Sequence, residues 1–248
     1  MDKITGLLLS LSLFLLLGCS SWSKEQQIVD RAIESHGGKL YGKSRISFDF
    51  RDRHYRILKT PARFEYSREF SDSTGLVLDV LNNEGFVRTI NGKEVSVTEE
   101  RQQAYSNSLN SVAYFAFLPY GLNDPAARKE WKGETELDGH TYDIIKVTFD
   151  EEGGGEDFED EFLYWINRED SRMDYLAYNY HTEGGGLRFR KAVNPRTISG
   201  VLIQDYENYK PKDKTIVLEE LEELYRSGEL KLLSEIILEN VEVEIVKE

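Results

Sequence analysis

The rhythm of apolar and polar positions changes several times along the chain. Ser23-Lys24-Glu25-Gln26 reads as a capping box, in which the serine hydroxyl and the glutamine side chain satisfy exposed backbone amides. Behind it Ile28, Val29, Ala32 and Ile33 recur on one helical face, and Gly37-Gly38 supplies a left-handed stop. From Ile46 the period becomes two: Ile46, Phe48 and Phe50 point one way and Ser47, Asp49 and Arg51 the other, as a half-buried strand requires. Strand-like runs follow at 63–70, 76–81, 85–90 and 94–97, with Asn91-Gly92 as a two-residue hairpin turn. Thr98 opens a second helix with Glu99 and Glu100 in its first turn; Leu109, Val112, Ala113, Ala116 and Phe117 keep helical spacing until Pro119. This helix is the more apolar of the two and is expected on the concave face of a sheet. Strand patterns return at 141–149, 161–167, 173–181, 187–193 and 198–206, then a short amphipathic helix at 218–225 and a final strand at 232–246. No linker or repeat divides 24–248, which reads as one β-rich α+β domain, an antiparallel sheet of about ten strands with two or three helices packed on it.

The first residues follow a different logic. Residues 4–17 form a mostly aliphatic run, shorter than the roughly 20 residues of a bilayer span and suited to a signal peptide over 1–18. The run ends in Leu16-Leu17-Gly18-Cys19, which resembles the bacterial lipoprotein box. The resemblance implies cleavage before Cys19, acylation of its sulfur and of the new amine, and a short tether over 19–23. Several acyl chains, at roughly 0.8 kcal/mol per buried CH₂, hold a protein at a membrane where one chain would not. Similarity to Gram-negative sorting rules, with Ser20 where aspartate would signal inner-membrane retention, implies the outer membrane, with the periplasmic face expected and the cell surface as the alternative.

Composition narrows the classes further. A single cysteine removes an intramolecular disulfide framework, a Cys-rich zinc site and a CxxC redox centre. A formal net charge of −14 without a basic stripe argues against a nucleic-acid partner. Aromatic residues at 12% belong to a chain with a packed core and not to a disordered acidic one.

The lipobox, residues 28–38, Phe48-Asp49-Phe50-Arg51-Asp52-Arg53-His54-Tyr55, Leu118-Pro119-Tyr120-Gly121-Leu122-Asn123, residues 149–155 and Tyr180-His181-Thr182-Glu183-Gly184-Gly185-Gly186 together resemble a Bacteroidetes-type lipoprotein family of unknown function. The helix-Gly-Gly-strand opening is also similar to the superfamily of the lipoprotein carriers LolA and LolB. That similarity implies a curved, incomplete antiparallel half-barrel, with helices closing its concave, open side around an apolar cavity. It transfers no catalytic residue, and a shared fold does not establish a shared cargo.

Three kinds of chemistry are open to such a chain. The first is a cation site. Eight acids fall within the twelve positions 150–161, around Gly153-Gly154-Gly155, and a hairpin of 161–167 and 173–181 would bring this loop beside Gly184-Gly185-Gly186. Hard ions such as Ca²⁺ take carboxylate and carbonyl oxygens, so Asp150, Glu152, Asp157 and Glu183 are the candidate ligands; the alternative is a solvated acidic loop, and no cofactor is required. The second is a module that binds a lipid or another apolar molecule, lined by Phe48, Phe50, Phe64, Phe86, Phe115, Phe117, Trp165 and Tyr178, all of which would serve equally as ordinary core. The third is a hydrolase-like enzyme that uses Asp52, His54, His181 and Glu183 as acids and bases. No GxSxG elbow, P-loop, HExxH pair or dinucleotide glycine fingerprint is present. His36 reads as a helix-end residue near a favourable dipole and His140 as a turn residue. The non-catalytic binding module, anchored in the outer membrane, is the favoured reading.

Overall fold

The computed structural model describes residues 22–60, 62–152, 158–181, 184–213 and 215–246. Cys19, the leader over 1–18, and two of the four candidate cation ligands, Asp157 and Glu183, lie outside them.

Two antiparallel sheets of seven strands each form an open, curved wall. In the first, β1 (Ser44–Phe50), β2 (Arg53–Lys59), β3 (Phe64–Asp72), β4 (Gly75–Asn82), β5 (Gly85–Ile90) and β6 (Lys93–Glu94) follow one another as a meander. In the second, β7 (Ala127–Leu137), β8 (His140–Phe149), β9 (Phe162–Asn167), β10 (Met173–Tyr180), β11 (Gly186–Ile198), β12 (Val201–Lys210) and β13 (Lys231–Ile236) do the same. β14 (Glu239–Ile245) then returns to the first sheet and pairs with β1. The half-barrel fold is therefore present, built from fourteen described strands where the pattern indicated about ten. β2 and β7 carry so many charged positions that they do not read as strands, although Tyr55 and Ile57 of β2 are buried on the inner face. The last run splits because the chain changes sheets at Ile237-Leu238.

Local signals account for most turns. Asn91 and Gly92 take positive φ values of 51° and 76° and make the expected hairpin. Arg51, at φ 57°, follows the end of β1, so Asp52 lies in the hairpin turn, Arg53 begins the next strand and His54 pairs with Asp49; the polar stretch 49–54 is a strand pair and not one strand. Gly37, at φ 121°, ends α1 (Lys24–Ser35), and a Cβ there would sit 2.7 Å from the Gly200 carbonyl oxygen. Ser23 caps α1 by accepting from the Gln26 amide (3.4 Å), while the Gln26 side chain turns away to Asp30 and Asn123 (both 2.8 Å), leaving the capping box half made.

The helices cover the faces. Ile28, Val29, Ala32 and Ile33 of α1 pack on Phe162, Tyr164 and Ile166, the inner face of the second sheet. α2 (Glu99–Ala116), capped by Thr98, leaves the free edge strand β6 of one sheet and delivers the chain to the free edge strand β7 of the other. Leu109, Ala113 and Phe117 face the first sheet, and Tyr114 and Phe115 face the second. The short α3 (Leu221–Arg226) lies on the outer face of the second sheet, over Trp165, Tyr175 and Phe189.

A polar row beneath α2 ties it to the first sheet. Arg68, Asp79 and Arg88 are register partners across β3, β4 and β5. Asp79 is fully buried and accepts from Arg68 (Nη2, 2.6 Å) and Arg88 (Nε, 2.6 Å); Arg68 donates onward to Ser108 of α2 (3.0 Å), and Arg88 stacks 3.7 Å over the Tyr105 ring. One carboxylate neutralises two guanidinium groups that cannot deprotonate. Asp79→Ala is therefore expected to lose about 3–5 kcal/mol of stability, the cost of stranding buried charge; urea unfolding monitored by circular dichroism measures it, and a loss below about 1 kcal/mol would contradict the assignment.

His36 stands at the C-terminal end of α1, as its reading as a helix-end residue has it, and is buried there. It lies between the end of α1 and β12, its Nδ1 donates to the Ala32 carbonyl (2.8 Å), and its Nε2 lies 3.3 Å from the Gln204 amide. Burial lowers its pKa from the ordinary 6.5, against weaker contributions from its hydrogen bonds and from Asp174. The native state thus binds fewer protons than the unfolded chain, so the stabilisation is complete above about pH 6.5 and is lost as pH falls from there towards the lowered native value. His36→Gln should flatten the stability profile between neutral pH and pH ~5 by up to about 1.4 kcal/mol per pH unit; parallel profiles for the two proteins would contradict this.

Candidate ligand-binding cavity

The two inner faces share a core where Val201 and Ile203 of β12 pack with Ile46 and Val243 of the first sheet. Between the two faces lies a cavity of about 700 Å³, bounded by both sheets, by the second half of α2 and by the crossover at Leu238. The first sheet contributes Ile46, Phe48, Phe50 and Tyr66; the second contributes Phe162, Tyr178, Ile203 and Tyr206; α2 contributes Val112, Phe115 and Ala116. Strand alternation sets this lining: Tyr178 turns inward from β10 while its neighbour Ala177 turns outward. Phe115, Phe162 and Tyr178 form one aromatic cluster, with ring centroids 5.2 Å apart for Phe115–Tyr178 and 5.5 Å for Phe162–Tyr178. Tyr114 and Tyr164 share a hydrogen bond between their buried hydroxyls, and burial raises the pKa of both, so they remain neutral donors and acceptors.

Of the predicted apolar residues, Phe48, Phe50, Phe115, Phe117 and Tyr178 line the cavity. Phe64 and Phe86 belong to the same core but sit away from it, against Tyr66 (5.0 Å) and Tyr105 (5.9 Å). Trp165 is on the opposite face, under α3, with Nε1 donating to Glu222 (2.8 Å). Every residue of β9 is buried, so its sequence carries no mark of which side faces inward.

The candidate acids and bases form two separate pairs. His54 Nδ1 lies 2.6 Å from Asp49 on the first sheet, and Asn240 and His54 hold the Asp49 pKa below its ordinary value. His181, at the end of β10 in the second sheet, lies 3.1 Å from Asp160. Asp52 is exposed and 3.7 Å from Arg53. The expected hairpin of β9 and β10 is present, and the His181–Asp160 contact joins the near ends of the two loops that flank it. Asp150, however, is occupied by Arg128, whose Nε donates at 3.0 Å and whose Nη2 meets the second oxygen. Glu152 is exposed, and among the described residues no group of three or more His, Cys, Asp or Glu side chains is placed to hold a metal ion.

The cavity also contains polar residues that the sequence pattern did not single out: Arg188, Arg190, Gln204 and Asp160. In Leu187-Arg188-Phe189-Arg190 the alternation is plain, but the apolar pair faces outward under α3 and the arginines face inward. The available signal was α3 itself, since a helix that covers the outer face reverses the usual polarity of a strand.

Among solved structures, the chain is similar to a LolA superfamily protein from Nitrosomonas europaea, at 11% identity over 92% of this chain and 95% of that one, with a TM-score of 0.49. An outer membrane lipoprotein-sorting protein domain from Vibrio parahaemolyticus is 8% identical over 91% and 94%, with a TM-score of 0.46. A DUF1329 family protein from Desulfovibrio piger is 8% identical over 92% and 96%, at 0.44. No curated protein matches the chain. Residues 4–240 match a family model, and since that match spans nearly the whole sequence the chain belongs to a family of unknown function, DUF6503.

Proposed function

We propose that this protein is a non-catalytic binding or carrier module that holds a lipid or a similar apolar molecule between its two sheets, tethered to the outer membrane through acylated Cys19. The cavity carries this reading. Protein interiors pack with few voids larger than a water molecule, whereas about 700 Å³ lined in the main by apolar side chains from both sheets falls within the range of small-molecule sites. The two histidine pairs stand in different sheets with separate partners, which gives an enzymatic reading no common centre. Asp150, engaged by Arg128, gives the Ca²⁺ reading less support than the cavity gives lipid binding.

An uncharged dye that fluoresces in apolar surroundings should bind the purified protein saturably, at one site per chain. Ala116→Trp, which fills the cavity from α2, should weaken that binding by about tenfold or more. Trp165→Ala, on the outer face, should lower stability by about 3–5 kcal/mol yet leave the affinity of the folded fraction unchanged. Non-saturable binding, or an Ala116→Trp protein that binds like the parent, would contradict the proposal. For the anchor, Cys19→Ala should move the protein from the membrane fraction to the soluble one and abolish incorporation of labelled palmitate; unchanged fractionation would contradict acylation at Cys19.

A further inference from the structure

We infer that the ligand of this cavity is an amphiphile with a single anionic head group, a carboxylate or a phosphate, and that Arg190 receives that head. This rests on the reading of the cavity as a lipid site and specifies its ligand. Arg190 is only 9% exposed and projects inward from β11. Its guanidinium lies 3.9 Å over the Phe115 ring, and Nη2 donates to the Tyr178 hydroxyl at 2.7 Å. Its Nε has no hydrogen-bond partner, and no carboxylate of the described residues forms an ion pair with it.

The contrast with the other inward arginines is informative. Arg68 and Arg88 share Asp79, and Arg196 pairs with Asp205 (3.1 Å). The acids that line the cavity are engaged elsewhere, Asp124 with Lys59 (3.4 Å) and Asp160 with His181 (3.1 Å). Arg188, beside Arg190 on the same wall, is held by the Tyr180 hydroxyl (2.7 Å) and the Leu187 carbonyl (2.8 Å), again without a carboxylate among the described residues. Tyr206, a further lining residue, makes no side-chain hydrogen bond among the described residues.

A guanidinium stays charged at any accessible pH, and burying it unpaired is costly. A carboxylate or phosphate oxygen placed at Arg190 would take up its unused N–H groups in charge-assisted hydrogen bonds. The apolar tail would then run along Phe48, Phe50, Val112 and Ile203. The two parts have different roles: the tail supplies buried area and the head supplies direction.

The test displaces the uncharged dye from the full-length protein near neutral pH with dodecanoate, dodecyl phosphate, dodecanol and inorganic phosphate. Dodecanoate and dodecyl phosphate should each compete at least about tenfold more strongly than dodecanol, as a hydrogen bond to a charged group implies, and inorganic phosphate should not compete at matched concentration. In Arg190→Met the acid and the alcohol should bind alike, and Arg190→Lys should recover much of the preference. Equal competition by acid and alcohol in the parent protein would overturn the assignment of the head group while leaving the cavity reading intact. Competition by inorganic phosphate as strong as that of dodecyl phosphate would also overturn it, in favour of a small-oxyanion site. No binding of the dye or of any chain would defeat the cavity reading itself. The parent comparison needs no variant, so a poorly folded Arg190→Met leaves the inference testable.

Discussion

The carboxylate of Asp205 holds the place where the chain leaves one sheet and enters the other. Only Ile237 and Leu238 separate β13 from β14, so the backbone groups of Leu238 fall outside both ladders and need partners of another kind. Asp205 Oδ1 accepts from the Leu238 amide (2.9 Å) and from Arg196 (3.1 Å), Arg196 donates to the Leu238 carbonyl (2.7 Å), and Asn194 completes the set at Oδ2 (3.2 Å). A two-residue crossover cannot let the sheets separate at this side. Their other edges, β6 and β7, are bridged by α2 and the turn at Tyr120–Asn123, and a wall closed at one edge and spanned by a helix at the other encloses space.

That geometry explains why α2 has the composition it has. A helix on a single sheet needs one apolar stripe, but this one meets two sheets, so its apolar residues spread around the axis: Leu109 and Ala113 towards one, Tyr114 and Phe115 towards the other. Its first half rests on the Arg68–Asp79–Arg88 row instead of an apolar surface. The polar row orients that half through directional hydrogen bonds, and the second half, packed on side chains, forms one wall of the cavity. The helix is both the cover of the half-barrel and part of the cavity wall.

Much of this was legible in the residues. Period-two alternation located β1, the Asn91-Gly92 hairpin and the β9–β10 pair, and helical spacing located α1 and α2 with their caps. β2 and β7 stayed hidden because their charged positions mask a half-buried strand. Alternation also says which residues share a face without saying which face is covered, and this ambiguity governs the site. By alternation alone Trp165 reads as a cavity residue and Arg188 and Arg190 do not, whereas the outer face of the second sheet is roofed by α3 and its inner face borders open space. His54 and His181 belong to one candidate set of acids and bases but to different sheets, a separation that depends on topology and leaves no local trace.

The charge distribution divides the work of recognition. With a net charge of −14 the surface as a whole repels anions, although salt screens that repulsion beyond about 8 Å at physiological ionic strength. A small anion gains too little at one arginine to offset its own dehydration, and an uncharged chain leaves the buried guanidinium unsatisfied. A molecule with both parts meets each requirement: burial of the tail supplies most of the free energy, and the arginine selects among tails by what they carry. On the proposed reading the acidic exterior disfavours free and chain-borne oxyanions alike, and only the latter recover that cost by burying a tail beside the inward arginines.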